Sequence, residues 1–212
     1  MGVQRQRTYS IIDLETTGVR PSDEIVEFAC LVVDDTGRQL VAYDTIIDPQ
    51  SGPGPTWLHG ITAAMCREAP TFPEVGAAIH ELLAGRVLVA HNLRFDWAML
   101  RRAFNRAGAS FLREAQGICT ATLAREAGIA GGLQRVARVL GLEVRQPHRA
   151  LDDAQTTREL WLRLRACSRR DRGQPLPPAS GAHRLARARA GLSRTGGPSE
   201  VRLAPGEGQR HG

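Results

Sequence analysis

Asp13 and Glu15 stand two residues apart at the end of Thr8–Leu14 and its continuation, a run rich in apolar, β-branched and aromatic residues. Residues i and i+2 of a strand face the same side, so the two carboxylates project together. Neighbouring anions in a partly desolvated place repel, and a cation relieves the repulsion. Carboxylate oxygens are hard donors suited to Mg²⁺ or Mn²⁺. A strand that simply ends in polar residues accounts for the same pair. A second group is His91-Asn92-Leu93-Arg94-Phe95-Asp96, where a short apolar run meets a helical pattern. Asp96 falls near a helix N-terminus, where the dipole favours a carboxylate; capping alone explains Asn92 and Asp96 equally well. The third group is His148-Arg149-Ala150-Leu151-Asp152-Asp153, placed by Pro147 at the start of the last helix. His148 offers a general base and Asp153 a ligand. Ordinary first-turn acids are the plainer alternative.

The elements that must position these groups follow from periodicity. Thr8–Leu14 reads as a buried strand, and Glu24–Val33 and Leu40–Ile47 as the next two. The turn Asp34-Asp35-Thr36-Gly37 separates the latter pair, and short connections throughout imply an antiparallel meander. Asp48–Pro55 is a Pro/Gly loop, and short helical turns fit Thr56–Cys66. Thr71 reads as a helix N-cap with Glu74 three residues on, and Val75, Ala78, Ile79, Leu82 and Leu83 form the predicted buried face. Val87–Ala90 is a short strand. Arg94–Arg106 is a helix with Phe95, Ala98, Met99, Arg102 and Ala103 on one face. Thr120–Ala127 and Leu133–Leu140 are short helices. Arg149–Leu164 is the last, burying Ala150, Ala154, Thr157, Leu160, Trp161 and Leu164. Strands first and alternating elements afterwards imply an α/β domain with helices packed on a mixed sheet.

Of the 212 residues, 42% are hydrophobic and 24% charged, an ordinary globular composition. No stretch approaches the roughly 18 apolar residues of a membrane span. The polar Met1–Arg7 lacks the apolar core of a signal peptide, which makes the cytoplasm the expected location. Cys30, Cys66, Cys119 and Cys167 are too scattered for a zinc knuckle or a readable disulfide framework, and are expected to be small buried or partly buried thiols. All 28 basic residues are arginine. Residues 166–212 carry nine of them against three acids, whereas residues 1–165 balance 19 arginines with 19 acids. The formal excess of +6 therefore lies wholly in the tail, which is also rich in Gly and Pro and has no aromatic residue. Such a segment cannot bury enough apolar surface to offset its ordering entropy. The expected organisation is a folded domain over 1–165 and a disordered basic tail over 166–212, with a short helical turn around His183–Leu192.

Taken in order, the three groups give Asp-x-Glu on a first strand, Asn-x-x-Phe-Asp at a strand-to-helix junction and His-x-Ala-x-x-Asp opening a last helix. With His59-Gly60-Ile61-Thr62, this resembles the DnaQ-like 3′→5′ exonucleases of the DEDD superfamily, in the branch with histidine in the third motif. Bacterial members include the proofreading exonucleases of the DNA polymerase III epsilon type. The resemblance runs from about Thr8 to Leu164. It implies an RNase H-like fold, a mixed five-stranded sheet flanked by helices, and two divalent metal ions, Mg²⁺ or Mn²⁺. It implies that Asp13, Glu15 and Asp153 are direct metal ligands, with Asp96 the fourth acid, often acting through water. It makes His148 the general base, and places Thr16, Thr17, His59, Asn92 and Phe95 near the 3′-terminal nucleotide. Asp152 is one residue too early for the pattern.

The implied partner is a nucleic acid with a free 3′ end, DNA ahead of RNA, in proofreading or repair and with a DNA polymerase as a candidate partner subunit. An RNA 3′ exonuclease would use the same motifs, since selectivity rests on contacts to the 2′ hydroxyl. A nonenzymatic docking module would be expected to have lost an acid or the histidine, and all five are present. The basic tail could contact nucleic acid or an acidic partner, or do neither.

Overall fold

The computed structural model describes residues 7–112 and 115–165, together with two short strands at 174–175 and 202–203. The chain opens with β1 (Tyr9–Thr16), β2 (Ile25–Val33) and β3 (Gln39–Ile46), paired as the expected antiparallel meander. Asp34 closes the β2–β3 turn, its Oδ1 accepting from the amides of Thr36 and Arg38 at 3.0 Å each. Gly37 completes the turn with φ 89°, in the left-handed region that glycine adopts without a Cβ clash.

Two short helices follow, α1 (Thr56–His59) and α2 (Ala63–Arg67), then α3 (Phe72–Leu83), β4 (Val87–Ala90) and α4 (Leu93–Arg106). The described order continues with β5 (Gln116–Cys119), α5 (Thr120–Glu126), α6 (Leu133–Val139) and α7 (Ala150–Arg165). Thr71 caps α3 as its sequence requires, with Glu74 reaching back to accept from the Thr71 amide at 2.7 Å.

Across the sheet the strands run β5-β4-β1-β2-β3, with β4 and β5 parallel to β1. This is the expected mixed five-stranded sheet, but β5 was not located from sequence. Gln-Gly-Ile-Cys is too short to display a period, and its glycine lowers strand propensity. Two-residue strands extend the edges: β6 (Gln174–Pro175) beside β5, and β7 (Arg202–Leu203) beside β3. The remainder of 166–212, with the expected disorder and the turn around His183–Leu192, lies outside the described residues.

Every residue of β2 is buried, because helices cover both faces of the sheet. On one face Ile12 and Leu14 of β1 pack with Phe28, Cys30 and Val32 of β2 against α3 and α4. On the other, Tyr9 and Ile11 pack with Ala29, Leu31 and Val33 against α5, α6 and α7. Trp161 of α7 is fully buried there, 4.5 Å from the Tyr9 ring. The alternation fixes the chemistry: Asp13 and Glu15 continue the Tyr9–Ile11 series and so face the α7 layer.

Two helix faces differ from the sequence expectation. In α3, Gly76 is buried and Ala78 exposed, so the face turns on Val75, Gly76, Ile79 and Leu83. In α4 the core residues are Leu93, Trp97, Met99, Leu100, Ala103 and Phe104, while Phe95, Ala98 and Arg102 are half-buried. The aromatic cluster of Trp97, Phe104 and Phe111 sets that rotation. The expected buried face of α7 is observed in full. Cys30 and Cys66 are buried free thiols and Cys119 is half-buried. Among the described residues no helix is long and apolar enough to cross a membrane.

Candidate active site

β1 and β4 are parallel, so their C-terminal ends share one edge of the sheet. Asp13 and Glu15 lie at that end of β1, and Asp96 lies in the first turn of α4, just beyond β4. The edge outside the carboxyl ends of parallel strands is where open α/β sheets place their sites. The pairing register slips between Glu15 and Thr16, an irregularity of the kind that re-aims side chains at functional edges. From the opposite layer the first turn of α7 contributes Asp153, with His148 two residues before the helix.

The structure thus brings together the residues that the sequence motifs singled out. Glu15, Asp96 and Asp153 are 8%, 4% and 5% exposed, and Asp13 is half-buried. One ligand atom each from Glu15, His148 and Asp153 lies within 4.8 Å of the others, a group able to hold a metal ion. Asp13 belongs to the same cluster electrostatically. Burial pushes its carboxyl well above the usual range, and the charges of Asp96, Asp153, Glu15 and Glu27 push it further. Glu15 is pushed up to about 8, chiefly by burial, then by Asp153 and Glu27, with Arg149 offsetting part of the rise. Burial also raises Asp96 and Asp153. Each acid is costly as an anion where it stands, and crowded hard oxygen donors of this kind fit a divalent cation.

The raised carboxyls have a consequence for stability. An unfolded Asp or Glu titrates near 4, whereas Glu15 in the fold holds its proton to about pH 8. Between those values the folded Glu15 keeps a proton that the unfolded one has lost, so its contribution to stability falls as pH rises. In EDTA the melting temperature should therefore decline from pH 5 towards pH 8 more steeply than in Glu15→Gln. A divalent cation should raise it most at the alkaline end. Identical pH profiles for the two proteins, measured calorimetrically, would contradict the assignment.

His148 takes φ 63°, and Asn92 takes φ 79°. Both are left-handed conformations uncommon for residues with a Cβ, of the kind that surrounding structure must hold in place at functional sites. The bend at His148 turns its amide to donate to Asp153 Oδ2 at 3.1 Å. Gln134 of α6, not singled out from sequence, donates through Nε2 to both Asp153 oxygens at 3.3 and 3.2 Å. Glu27 of β2 is a second residue that the motifs missed. It is the strand partner of Glu15 and is 1% exposed. Neither belongs to a recognisable spacing, and their roles depend on tertiary register.

The residues expected near a nucleotide lie around this cluster in different states. Thr16 and Thr17 are half-buried, Asn92 is exposed and Phe95 half-buried. Thr16 Oγ1 donates to the Gly18 carbonyl at 2.7 Å, and Thr17 Oγ1 accepts from the Glu24 amide at 3.0 Å. Gly54 has φ 76°, and a Cβ there would collide with the Thr17 backbone, so only glycine lets the 49–55 loop pack so closely on Thr17. His59 is 2% exposed, with Nδ1 accepting from the Ile61 amide at 3.0 Å. Asp152 is turned elsewhere: it lines a polar cleft of about 340 Å³ with Gln39, Glu143 and Arg158.

Comparison with known proteins agrees with this architecture. A DNA polymerase III subunit epsilon-like protein of Rhodobacter capsulatus is 35% identical over 167 residues, covering 74% of this chain and 23% of that protein. The chain thus spans about a quarter of that relative's length. The zinc-bound E. coli ExoI–ssDNA complex superposes with a TM-score of 0.67 at 21% identity, covering 77% of this chain and 41% of the other. A 3′-exonuclease solved with a histone mRNA stem-loop gives 0.64 at 19% identity, covering 75% and 63%. At such identities the likeness is one of fold, and the fold is RNase H-like. The Exonuclease family (RNase_T) matches residues 10–161, which takes in β1, every acid of the cluster and His148, and this chain belongs to that family.

Proposed function

We propose that this chain is a metal-dependent 3′→5′ exonuclease that removes nucleoside monophosphates from DNA 3′ ends. The observation that carries the proposal is the convergence of Asp13, Glu15, Asp96 and Asp153 with His148 at one sheet edge, in a member of the exonuclease family.

Asp13, Glu15 and Asp153 would hold divalent cations directly, and Asp96 through water. A pair of such ions, Mg²⁺ or Mn²⁺, supplies charge stabilisation to both the attacking and the leaving oxygen of a phosphodiester. The remaining work falls to the chain. His148 takes the proton of the attacking water, the task of a positioned imidazole base. Its strained backbone, tied to Asp153 through the His148 amide, fixes where the ring stands relative to the acids. Thr16, Thr17, His59, Asn92 and Phe95 would seat the terminal nucleotide. Burial of three of the four acids keeps bulk water from screening them.

DNA is the substrate favoured here. The Rhodobacter relative is named for a DNA polymerase III subunit, and the E. coli structure holds single-stranded DNA. A role in proofreading or repair, with a polymerase as partner, is the corresponding biological proposal. The test compares 5′-labelled single strands of DNA and RNA of matched sequence, alongside a 3′-mismatched duplex. DNA and the mismatched end should be degraded faster than RNA. Faster loss of RNA would assign the site to RNA.

A further inference from the structure

We propose that Glu27 and Arg149 form a positioning pair that holds His148 and Asp153 in register with Asp13 and Glu15. The inference rests on the metal-dependent exonuclease reading of the site and adds two residues that the reading does not contain.

The acids of the site come from two layers that are far apart in sequence. Asp13 and Glu15 are on β1, whereas Asp153 is on α7. Something must fix the distance between a strand and the opening of a helix packed on it. Glu27 lies on β2 directly across from Glu15, so both carboxylates emerge on the α7 face of the sheet. Two like charges side by side are unfavourable, and Glu27 is 1% exposed. A charge so buried must be paired. Its pairing is complete and points entirely at α7. Oε1 accepts from Arg149 Nη2 at 2.9 Å and Nε at 3.3 Å, and Oε2 accepts from the Ala150 amide at 3.0 Å.

Ala150 is the first residue of α7. Its amide is one of the four that a helix leaves without an intrahelical partner, and here it is satisfied by a side chain 123 positions earlier in the chain. Pro147, His148 and Arg149 supply no capping hydroxyl, amide or carboxylate of their own. The carboxylate also faces the positive end of the helix dipole. Arg149 is the node of the arrangement. Its guanidinium binds β2, its carbonyl accepts from the Asp153 amide at 2.9 Å, and it directly follows the strained His148. Both metal-binding layers are therefore indexed to β2 through one carboxylate. Glu27 is not itself a ligand in this account, since both its oxygens are committed.

Two competing roles give different results. Arg149 is 40% exposed at its side chain and could instead grip a substrate phosphate. Alternatively, the pair could serve the fold alone. The test uses Glu27→Gln, Arg149→Met, Arg149→Lys and the double Glu27→Gln/Arg149→Met in the full chain. Glu27→Gln keeps the volume and an oxygen for the Ala150 amide but loses the charge. Single-turnover rate and KM on 5′-labelled single-stranded DNA are measured together with Mn²⁺ binding by calorimetry and with melting temperature.

Each single charge loss should lower the rate by about 10²-fold, the scale of a small misplacement of catalytic groups. KM should stay nearly unchanged, Mn²⁺ should bind more weakly, and Arg149→Lys should recover part of the rate. The double variant should lose no more than the worse single one, because coupled residues are not additive. Additive losses, or an Arg149→Met defect confined to KM, would overturn the proposal in favour of phosphate binding. Lowered melting temperature with rate and Mn²⁺ affinity intact would overturn it in favour of a fold-only role. If the unsubstituted chain released no nucleotides, the exonuclease reading would fail, while the Mn²⁺ titration would still decide the pair. Should Glu27→Gln not fold, the half-exposed Arg149 variants decide it alone.

Discussion

Asp153→Ala should abolish nucleotide release, and Asp152→Ala, one residue away, should retain most of it. The two aspartates share a helix turn and a charge, but their surroundings differ. Asp153 is 5% exposed, receives hydrogen bonds from the His148 amide and Gln134, and has an oxygen within 4.8 Å of ligand atoms on Glu15 and His148. Asp152 points into the polar cleft on the other side of the helix start. Removing Asp153 deletes a proposed ligand and the acceptor of the His148 amide. Removing Asp152 deletes a partly solvated acid. His148→Ala should fall between them, losing about 10²–10⁴-fold in rate, the usual contribution of a positioned base. Its Mn²⁺ affinity should change little. Rates from a continuous nucleotide-release assay, with circular dichroism as a folding control, give the comparison. A dead Asp152→Ala beside an active Asp153→Ala would shift the motif by one residue. Lost Mn²⁺ binding in His148→Ala would move that side chain among the ligands.

The ease of reading this chain varied with how local the signal was. β1 to β4 were legible because each is a compact apolar run between turn residues, and α7 because its buried positions recur at helical spacing. β5 was not, since four residues ending in a half-buried cysteine carry no period. The rotation of α4 was misjudged for a physical reason. Its first turn serves the site and the core at once, so a carboxylate, Asp96, is buried beside Trp97. A hydrophobic stripe counted from Phe95 is therefore offset from the true one, which it shares at Met99 and Ala103.

The candidate site divides in the same way. Asp13, Glu15, Asp96, His148 and Asp153 could be chosen because their order and spacing form motifs. Glu27 and Gln134 could not, since Glu27 matters through its register opposite Glu15 and its bond to Arg149, 122 positions on, and Gln134 through Asp153, 19 positions on. His59 was assigned from its motif to the nucleotide's surroundings, and in the fold it is 2% exposed. Spacing reveals which residues a motif contains. Which of them face solvent is decided by tertiary packing.

Removal of divalent cations should have as large an effect as Asp153→Ala. Four carboxylates with three nearly buried can be ionised together only against strong counter-charge, and Arg149 is already committed to Glu27. Protonation of Glu15, held up to about 8, would leave a poor ligand and no means of stabilising a departing oxygen. EDTA should therefore stop catalysis, and Mg²⁺ or Mn²⁺ should restore it without refolding.

One measurement tests the central claim most directly. The full chain is incubated with single-stranded DNA labelled at its 5′ end, with and without Mg²⁺ or Mn²⁺, and the products are resolved at single-nucleotide length. The account predicts a ladder that shortens one nucleotide at a time from the 3′ end. The label should stay on the longer fragment, and there should be no cleavage in EDTA. Immediate release of labelled mononucleotide, internal cuts, or undiminished degradation in EDTA would contradict it.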